Sequence, residues 1–99
     1  MSKKYAVAVV GATGLVGEAM RQVLEEREFP VGRFVPLASA RSAGRSVTFR
    51  GTEHVVEALD DFDFSGIDIA LFSAGASVSA EAAPRAAAAG AVVIDNTSQ

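Results

Sequence analysis

The amino-acid sequence predicts an α/β fold in which a mostly parallel sheet is flanked by helices and carries a short antiparallel hairpin. The stretches YAVAVV (5–10) and IDIALFSAG (67–75) are apolar, and each leads into a glycine turn and then into a segment with helical character. Buried apolar strands that alternate with helices are typical of parallel sheets covered on both faces.

Composition narrows the class of protein. A chain of 99 residues makes one domain, and its net charge of −3 comes from scattered residues, so neither a nucleic-acid nor a membrane partner is expected. The first apolar run is too short for a signal peptide, so a cytoplasmic location is expected. The absence of cysteine excludes disulfides, thiolate metal sites and a cysteine nucleophile within this chain.

Two prolines constrain where the first helix ends and where the second strand can lie in the sheet. Helical spacing of apolar residues predicts a helix from about Gly14 to Arg27, and it should end near Glu28 because Pro30 disfavours helical geometry in the preceding residue. A strand is predicted within RFVPLASA (33–40). Its boundaries are weakly defined, because Pro36 must lie at a strand start, an edge or a bulge.

The middle of the chain predicts a hairpin and then a turn. Val47 and Phe49 alternate with polar residues, which predicts an antiparallel hairpin with Gly51-Thr52 as its two-residue link. DDFDFSG (60–66) predicts a turn-rich connection or a short helix before the second parallel strand.

An alanine-rich segment follows the second parallel strand. Residues 77–89 predict a helix that packs closely on the sheet through small side chains and stops at Gly90. Pro84 fits only near the first turn of that helix or as a kink. AVVID (91–95) predicts the last strand. The complete order of elements is that of a Rossmann-like α/β unit.

The glycine turn GATGLVG lies between the first strand and the first helix. In open α/β sheets ligands bind at this edge, and the amides at a helix N-terminus suit a pyrophosphate. Gly11 should allow the tight turn, Gly14 the approach of phosphates and Gly17 close contact between helix and strand, while Thr13 adds a hydroxyl. The spacing is G-x-x-G-x-x-G rather than G-x-G-x-x-G. The alternative is therefore a turn that only connects the strand to the helix and binds no phosphate.

The segment SARSAGR at the end of the second strand predicts the nucleotide. An acidic residue at this place reads a free ribose 2′-hydroxyl, whereas an arginine accepts a 2′-phosphate. The segment contains no acid, and Ser39, Arg41 and Ser42 offer a guanidinium and two hydroxyls suited to phosphate oxygens. NADP is therefore the predicted cofactor, and a solvated polar loop is the alternative.

Other polar residues are weaker candidates. His54 is expected to have a surface or structural role, and a site or a turn role is equally open for Asp95 and Asn96. No metal site is predicted, because the composition around the acidic group fits a solvated turn; this group comprises Asp60, Asp61 and Asp63.

Together the motifs GATGLVG, LASARSAG, ALFSAG and VVIDNTS resemble the aspartate-β-semialdehyde dehydrogenase family, in its bacterial NADP-dependent branch, from about residue 4 onward. The resemblance implies reductive dephosphorylation of aspartyl phosphate to the semialdehyde, in lysine, threonine and methionine biosynthesis. It also implies that residues 1–99 form the Rossmann cofactor domain and that a dimerising catalytic domain follows. The full-length enzyme would be a homo-oligomer, a dimer or a tetramer.

The resemblance also implies roles for individual positions. The stretch Thr13, Gly14, Leu15 and Val16 would line the pyrophosphate, next to the cofactor-binding turn at Gly11, and the 2′-phosphate would lie on Ser39, Arg41 and Ser42. The cofactor would further contact Ser73, Gly75 and, on the nicotinamide side, Asn96. The family's cysteine nucleophile, histidine acid/base and substrate-binding arginines would lie beyond Gln99. No catalytic residue is therefore expected in this chain, which should be inactive alone.

Two alternatives remain open. N-acetyl-γ-glutamyl-phosphate reductase shares the fold and the cofactor, although SARSAG favours the semialdehyde dehydrogenase. A nucleotide-binding paralogue without catalytic activity is the second alternative.

Overall fold

A five-stranded parallel sheet forms the centre of the computed structural model. The structure describes residues 4–12, 14–73 and 76–95, with the side chains of 15, 16, 76–79 and 95 left aside. In chain order the elements are β1 (Tyr5–Val10), α1 (Leu15–Glu26), β2 (Val31–Ala38), β3 (Ser46–Phe49), β4 (Thr52–Val55), β5 (Glu57–Ala58), a 3-10 helix (Leu59–Asp61), β6 (Ile69–Phe72), α2 (Ala76–Ala88) and β7 (Val92–Asp95).

The order of strands across the sheet is β5-β2-β1-β6-β7, so β1 lies at the centre. Alternate residues of β1 point to opposite faces. Val7 and Val9 pack in the cluster that the α1 residues Met20 and Leu24 border, whereas Ala8 and Val10 pack with alanines of α2. The helices therefore cover opposite faces, and the predicted Rossmann-like α/β architecture is confirmed.

The two helices end with the same hydrogen-bonding pattern. After α2, the Ala91 amide donates to the Ala86 carbonyl at 3.1 Å and the Gly90 amide to the Ala87 carbonyl at 3.0 Å, with Gly90 at φ +100°. This Schellman motif confirms Gly90 as the stop. After α1, Glu28 takes the corresponding place at φ +50°, so the helix ends at Glu26, slightly before the predicted end.

Alanine side chains let α2 lie close to the sheet, as predicted. Ala82 and Ala86 are completely buried in the core. Pro84 lies in the interior of α2 and is exposed, so the predicted first-turn position is wrong and the predicted kink stays a prediction. Since proline has no amide hydrogen, it cannot donate to the carbonyl one turn earlier. Among the described residues, no helix is long and apolar enough to span a membrane.

Pro36 lies within β2, at a place where that strand has one neighbour only. It pairs with Val9 of β1, whereas β5 pairs with β2 only at Leu37 and Ala38. Pro36 therefore lies on a local edge of the sheet, one of the three positions predicted for it. The two-residue strand β5 is not among the predicted elements.

The hairpin β3–β4 is antiparallel, as predicted, but its link is Arg50-Gly51 rather than Gly51-Thr52. Thr52 pairs with Phe49, and Arg50 and Gly51 have φ values of +55° and +78°. Two positive φ values are typical of the type I′ turn, whose twist matches that of the flanking strands. The Arg21 guanidinium donates to the Thr48 carbonyl at 2.8 Å, which ties the hairpin to α1.

Candidate nucleotide site

A pocket of about 310 Å³ opens at the carboxyl edge of the sheet. It lies where the chain order reverses, with β2 on one side of β1 and β6 on the other. Open α/β folds bind ligands at this switch point. The pocket is lined by Val10, Gly11, Gly14, Ala38, Ser39, Ser42, Leu59, Asp60, Ser73 and Glu81.

The glycine turn forms one wall of the pocket. Gly11 has φ +87°, a conformation that favours glycine, which agrees with its predicted role in the turn. Its amide and that of Ala12 both donate to the Leu37 carbonyl, at 2.8 and 3.2 Å. The Gly14 amide donates to the Gly11 carbonyl at 3.1 Å, which closes the turn before α1 begins.

Gly14 and Gly17 serve different purposes in this turn. Gly14 is the N-cap of α1 with φ −85° and ψ 174°, an extended conformation open to any residue, and no side chain caps the helix there. A Cβ on Gly14 would meet only the Gly11 carbonyl oxygen, at 3.6 Å. A Cβ on Gly17 would lie 2.3 Å from that same oxygen, so Gly17 provides close contact between the helix and the turn after β1, rather than between the helix and the strand itself as the sequence predicts.

The first turn of α1 provides hydrogen-bond donors at the pocket. The first amide-to-carbonyl bond of α1 runs from Glu18 to Gly14 at 3.0 Å, so the amides of residues 15–17 precede the ladder of helical bonds. Such amides, together with the positive end of the helix dipole, favour an anion. Leu15 and Val16 belong to this first turn. Their contact with a pyrophosphate stays a prediction.

The segment after β2 forms the second wall. The carbonyl of Ser39 accepts the amides of Ser42 at 2.9 Å and Ala43 at 3.0 Å, which folds the segment into a tight turn. Ser39 and Ser42 line the pocket, and Arg41 lies between them in sequence, exposed and outside the lining. The Arg41 guanidinium makes no hydrogen bond or ion pair with the part of the chain that the structure describes.

Ser73 joins β6 to the glycine turn. Its hydroxyl lies 2.9 Å from the Val10 carbonyl oxygen and 3.3 Å from that of Gly11, and its amide donates to Val10 at 2.9 Å. The pocket thus brings together five of the predicted residues, namely Gly11, Gly14, Ser39, Ser42 and Ser73. Thr13, Gly75 and Asn96 lie outside the described residues.

Five residues of the pocket wall are missing from the predicted site residues: Leu59, Asp60, Glu81, Val10 and Ala38. Leu59 and Asp60 belong to the 3-10 helix that follows β5. Because β5 is not among the predicted elements, the sequence does not place these two residues at the edge of the sheet. The Arg85 guanidinium holds this helix by donating to the carbonyls of Leu59 at 3.2 Å and Phe62 at 2.9 Å.

His54 and Asp63 have local structural contacts instead. The His54 ring meets Phe34 edge-on, with centroids 5.0 Å apart, in agreement with its predicted structural role. The Ser65 amide donates to the Asp63 carboxylate at 2.9 Å. This backbone hydrogen bond, assisted by one from the Ser65 hydroxyl, lowers the pKa of Asp63 below its usual value.

Comparison with known proteins decides the family. Residues 6–99 match the family model described as semialdehyde dehydrogenase, NAD binding domain. The chain belongs to this family. Because the family is defined by NAD binding, its ligand class is a nicotinamide dinucleotide.

Related proteins agree with this membership. The chain is 60% identical over 98 residues to the aspartate-semialdehyde dehydrogenase of Legionella pneumophila, covering 99% of this chain and 28% of that protein. It is 58% identical over 95 residues to the enzyme of the same name from Aquifex aeolicus, covering 95% of this chain and 28% of that protein. The chain spans less than a third of the length of these relatives.

A solved structure confirms the fold. The Vibrio cholerae aspartate semialdehyde dehydrogenase II, complexed with ASA, superposes with a TM-score of 0.93 at 54% identity and covers 97% of this chain and 31% of its own. The donors at the pocket fit the nicotinamide ligand class: helix amides for a pyrophosphate and hydroxyls for phosphate or ribose oxygens. The volume of about 310 Å³ is at the lower end for ligand pockets, so part of a dinucleotide would extend beyond it.

Proposed function

We propose that this chain is the NADP-binding part of an aspartate-semialdehyde dehydrogenase, which reduces aspartyl phosphate to the semialdehyde with release of phosphate. The observation that carries the proposal is the one pocket that the glycine turn and the serines on either side of Arg41 line together. The relatives at 50–60% identity that bear this enzyme's name support the substrate class.

Each wall of the pocket has a role in holding the cofactor. The backbone of Gly11, Gly14 and the first turn of α1 would hold the pyrophosphate by hydrogen bonds from amides. For Thr13, Gly75 and Asn96, which lie outside the described residues, the cofactor contacts that the family resemblance implies stay predictions. NADPH supplies the hydride when it is bound. The chain's own residues bind and orient it.

The preference for NADP over NAD rests on the turn after β2. Ser39 and Ser42 place hydroxyls at the pocket, and the exposed guanidinium of Arg41 is available for a 2′-phosphate. No carboxylate occurs in this turn. Asp60, which also lines the pocket, belongs to the 3-10 helix and not to the end of β2, where the acid that reads a free 2′-hydroxyl is found.

Replacement of Arg41 by alanine tests the cofactor preference. A charge-assisted hydrogen bond contributes about 1.5–3 kcal/mol, and solvent screening at this exposed position favours the lower value. We therefore expect NADPH affinity to fall roughly tenfold and NADH affinity to change little. The measurement is a titration of both variants with both cofactors at one ionic strength.

The matched control is Arg33→Ala. Arg33 is also an exposed arginine of the β2 region, but it lies towards the amino end of the strand, away from the pocket. It should leave both affinities unchanged. An equal loss of NADPH and NADH affinity in Arg41→Ala would mean that Arg41 shapes the turn without reading the phosphate, and tighter binding of NADH by the unmodified chain would contradict the NADP assignment.

The chain alone is expected to bind cofactor without turning it over. Reduction of an acyl phosphate by this family requires a covalent thioester on a cysteine thiolate, and the sequence contains no cysteine. The catalytic residues and the homo-oligomer contacts are proposed to belong to the remainder of the full-length enzyme. NADPH oxidation with aspartyl phosphate above the uncatalysed rate, in material freed of contaminating enzyme, would refute this expectation.

A further inference from the structure

We propose that Ser73 is a positioning residue whose hydroxyl fixes the glycine turn, rather than a residue that donates a hydrogen bond to the nucleotide. The inference rests on the proposed nucleotide-binding function and goes beyond the family resemblance, which implies a direct cofactor contact. It follows from the direction in which the Ser73 hydroxyl donates its proton.

A serine hydroxyl has a single proton to donate, and its remaining capacity is as an acceptor. Both groups near the Ser73 hydroxyl are carbonyl oxygens, those of Val10 at 2.9 Å and Gly11 at 3.3 Å. A carbonyl can only accept, so the Ser73 proton is directed at Val10, the last residue of β1, and is shared at longer range with Gly11, the first residue of the turn. Phosphate oxygens are acceptors as well, and a hydroxyl whose proton is used in this way has none left for a pyrophosphate.

The Gly11 carbonyl is the point at which the turn is held. It accepts the Gly14 amide at 3.1 Å as well as the Ser73 hydroxyl. Gly17 packs so closely against the same oxygen that a Cβ on residue 17 would lie 2.3 Å from it. This packing further restricts movement of the Gly11 carbonyl. Rotation of this peptide would move Gly14, the N-cap of α1, and with it the direction of the first helical amides.

Loss of the hydroxyl should loosen the turn without unfolding the sheet. In Ser73→Ala the Val10 carbonyl keeps the Ser73 amide as its donor, and the Gly11 carbonyl keeps the Gly14 amide. No carbonyl of the pair is left without a partner, so the cost of a buried unsatisfied group does not arise. The effect is confined to the position of the turn.

The test compares Ser73→Ala with the unmodified chain by two measurements. Amide hydrogen exchange in the absence of nucleotide should be roughly three- to tenfold faster at Gly14 and unchanged in β1, as expected for the loss of one hydrogen bond. NADPH should bind roughly three- to tenfold more weakly. Ser73→Thr, which keeps the hydroxyl, should restore both values, and Ser46→Ala, at an exposed serine of β3, should alter neither.

Three results would overturn the inference. Weaker NADPH binding with unchanged exchange at Gly14 would assign Ser73 to direct contact with the nucleotide. Faster exchange throughout β1 would indicate general destabilisation, and Ser73→Thr behaving like Ser73→Ala would exclude the hydroxyl as the cause. If the unmodified chain fails to bind NADPH, the proposed function is refuted, whereas exchange at Gly14 still decides whether Ser73 holds the turn.

Discussion

Replacing Gly17 by alanine is expected to destabilise this domain, even though alanine is the stronger helix former. The new Cβ would lie 2.3 Å from the Gly11 carbonyl oxygen and 2.8 Å from the Ala12 Cα. Both are backbone atoms, so no change of side-chain rotamer relieves the contact. Either α1 or the glycine turn has to shift.

The magnitude follows from two opposing effects. Alanine gains at most about 1 kcal/mol over glycine in a helix, whereas forcing an extra carbon into a well-packed site costs about 1–3 kcal/mol. The 2.3 Å contact lies well inside van der Waals distance and places the cost at the upper end of that range. The net loss of unfolding free energy is about 1–2 kcal/mol, or roughly 4–16 °C in Tm for a domain of this size.

Thermal unfolding followed by circular dichroism measures the loss, and Gly14→Ala is the control. At Gly14 a Cβ would lie 3.6 Å from the same oxygen, an ordinary contact, so only the weaker capping preference of alanine, about 0.5 kcal/mol, is lost. An unchanged or higher Tm in Gly17→Ala would refute the reasoning, as would an equal loss in Gly14→Ala.

Two further expectations concern α2 and the turn before β6. Pro84→Ala should raise the unfolding free energy by up to about 3 kcal/mol, because an exposed interior proline is replaced by the best helix former; a lower urea midpoint would contradict this. The Asp63 carboxyl should titrate below the value of an unstructured peptide, since hydrogen bonds from Ser65 lower its pKa. Stability from this contact is complete above the unfolded pKa and is lost as pH falls through the folded pKa. An NMR titration of the carboxyl carbon that gave an unshifted or raised midpoint would exclude the effect.

The sequence alone could predict the elements whose signals are local. Six consecutive apolar residues predicted β1, and the alanine content together with Gly90 predicted α2. The spacing of the glycines predicted the turn between β1 and α1. Each signal arises from neighbouring residues through periodicity, helix propensity or the conformational freedom of glycine. The family resemblance rested on the glycine turn together with the motifs LASARSAG, ALFSAG and VVIDNTS.

Only the tertiary structure decided which of these stretches meet. The hydroxyl of Ser73 reaches the Val10 and Gly11 carbonyls across more than sixty residues of chain, and the two-residue strand β5 brings Leu59 and Asp60 to the pocket wall. The hairpin link likewise shifted by one residue, to Arg50-Gly51, because its register depends on pairing between strands. Local patterns determine which elements form, whereas contacts between distant segments depend on sheet pairing, which no single stretch of sequence encodes.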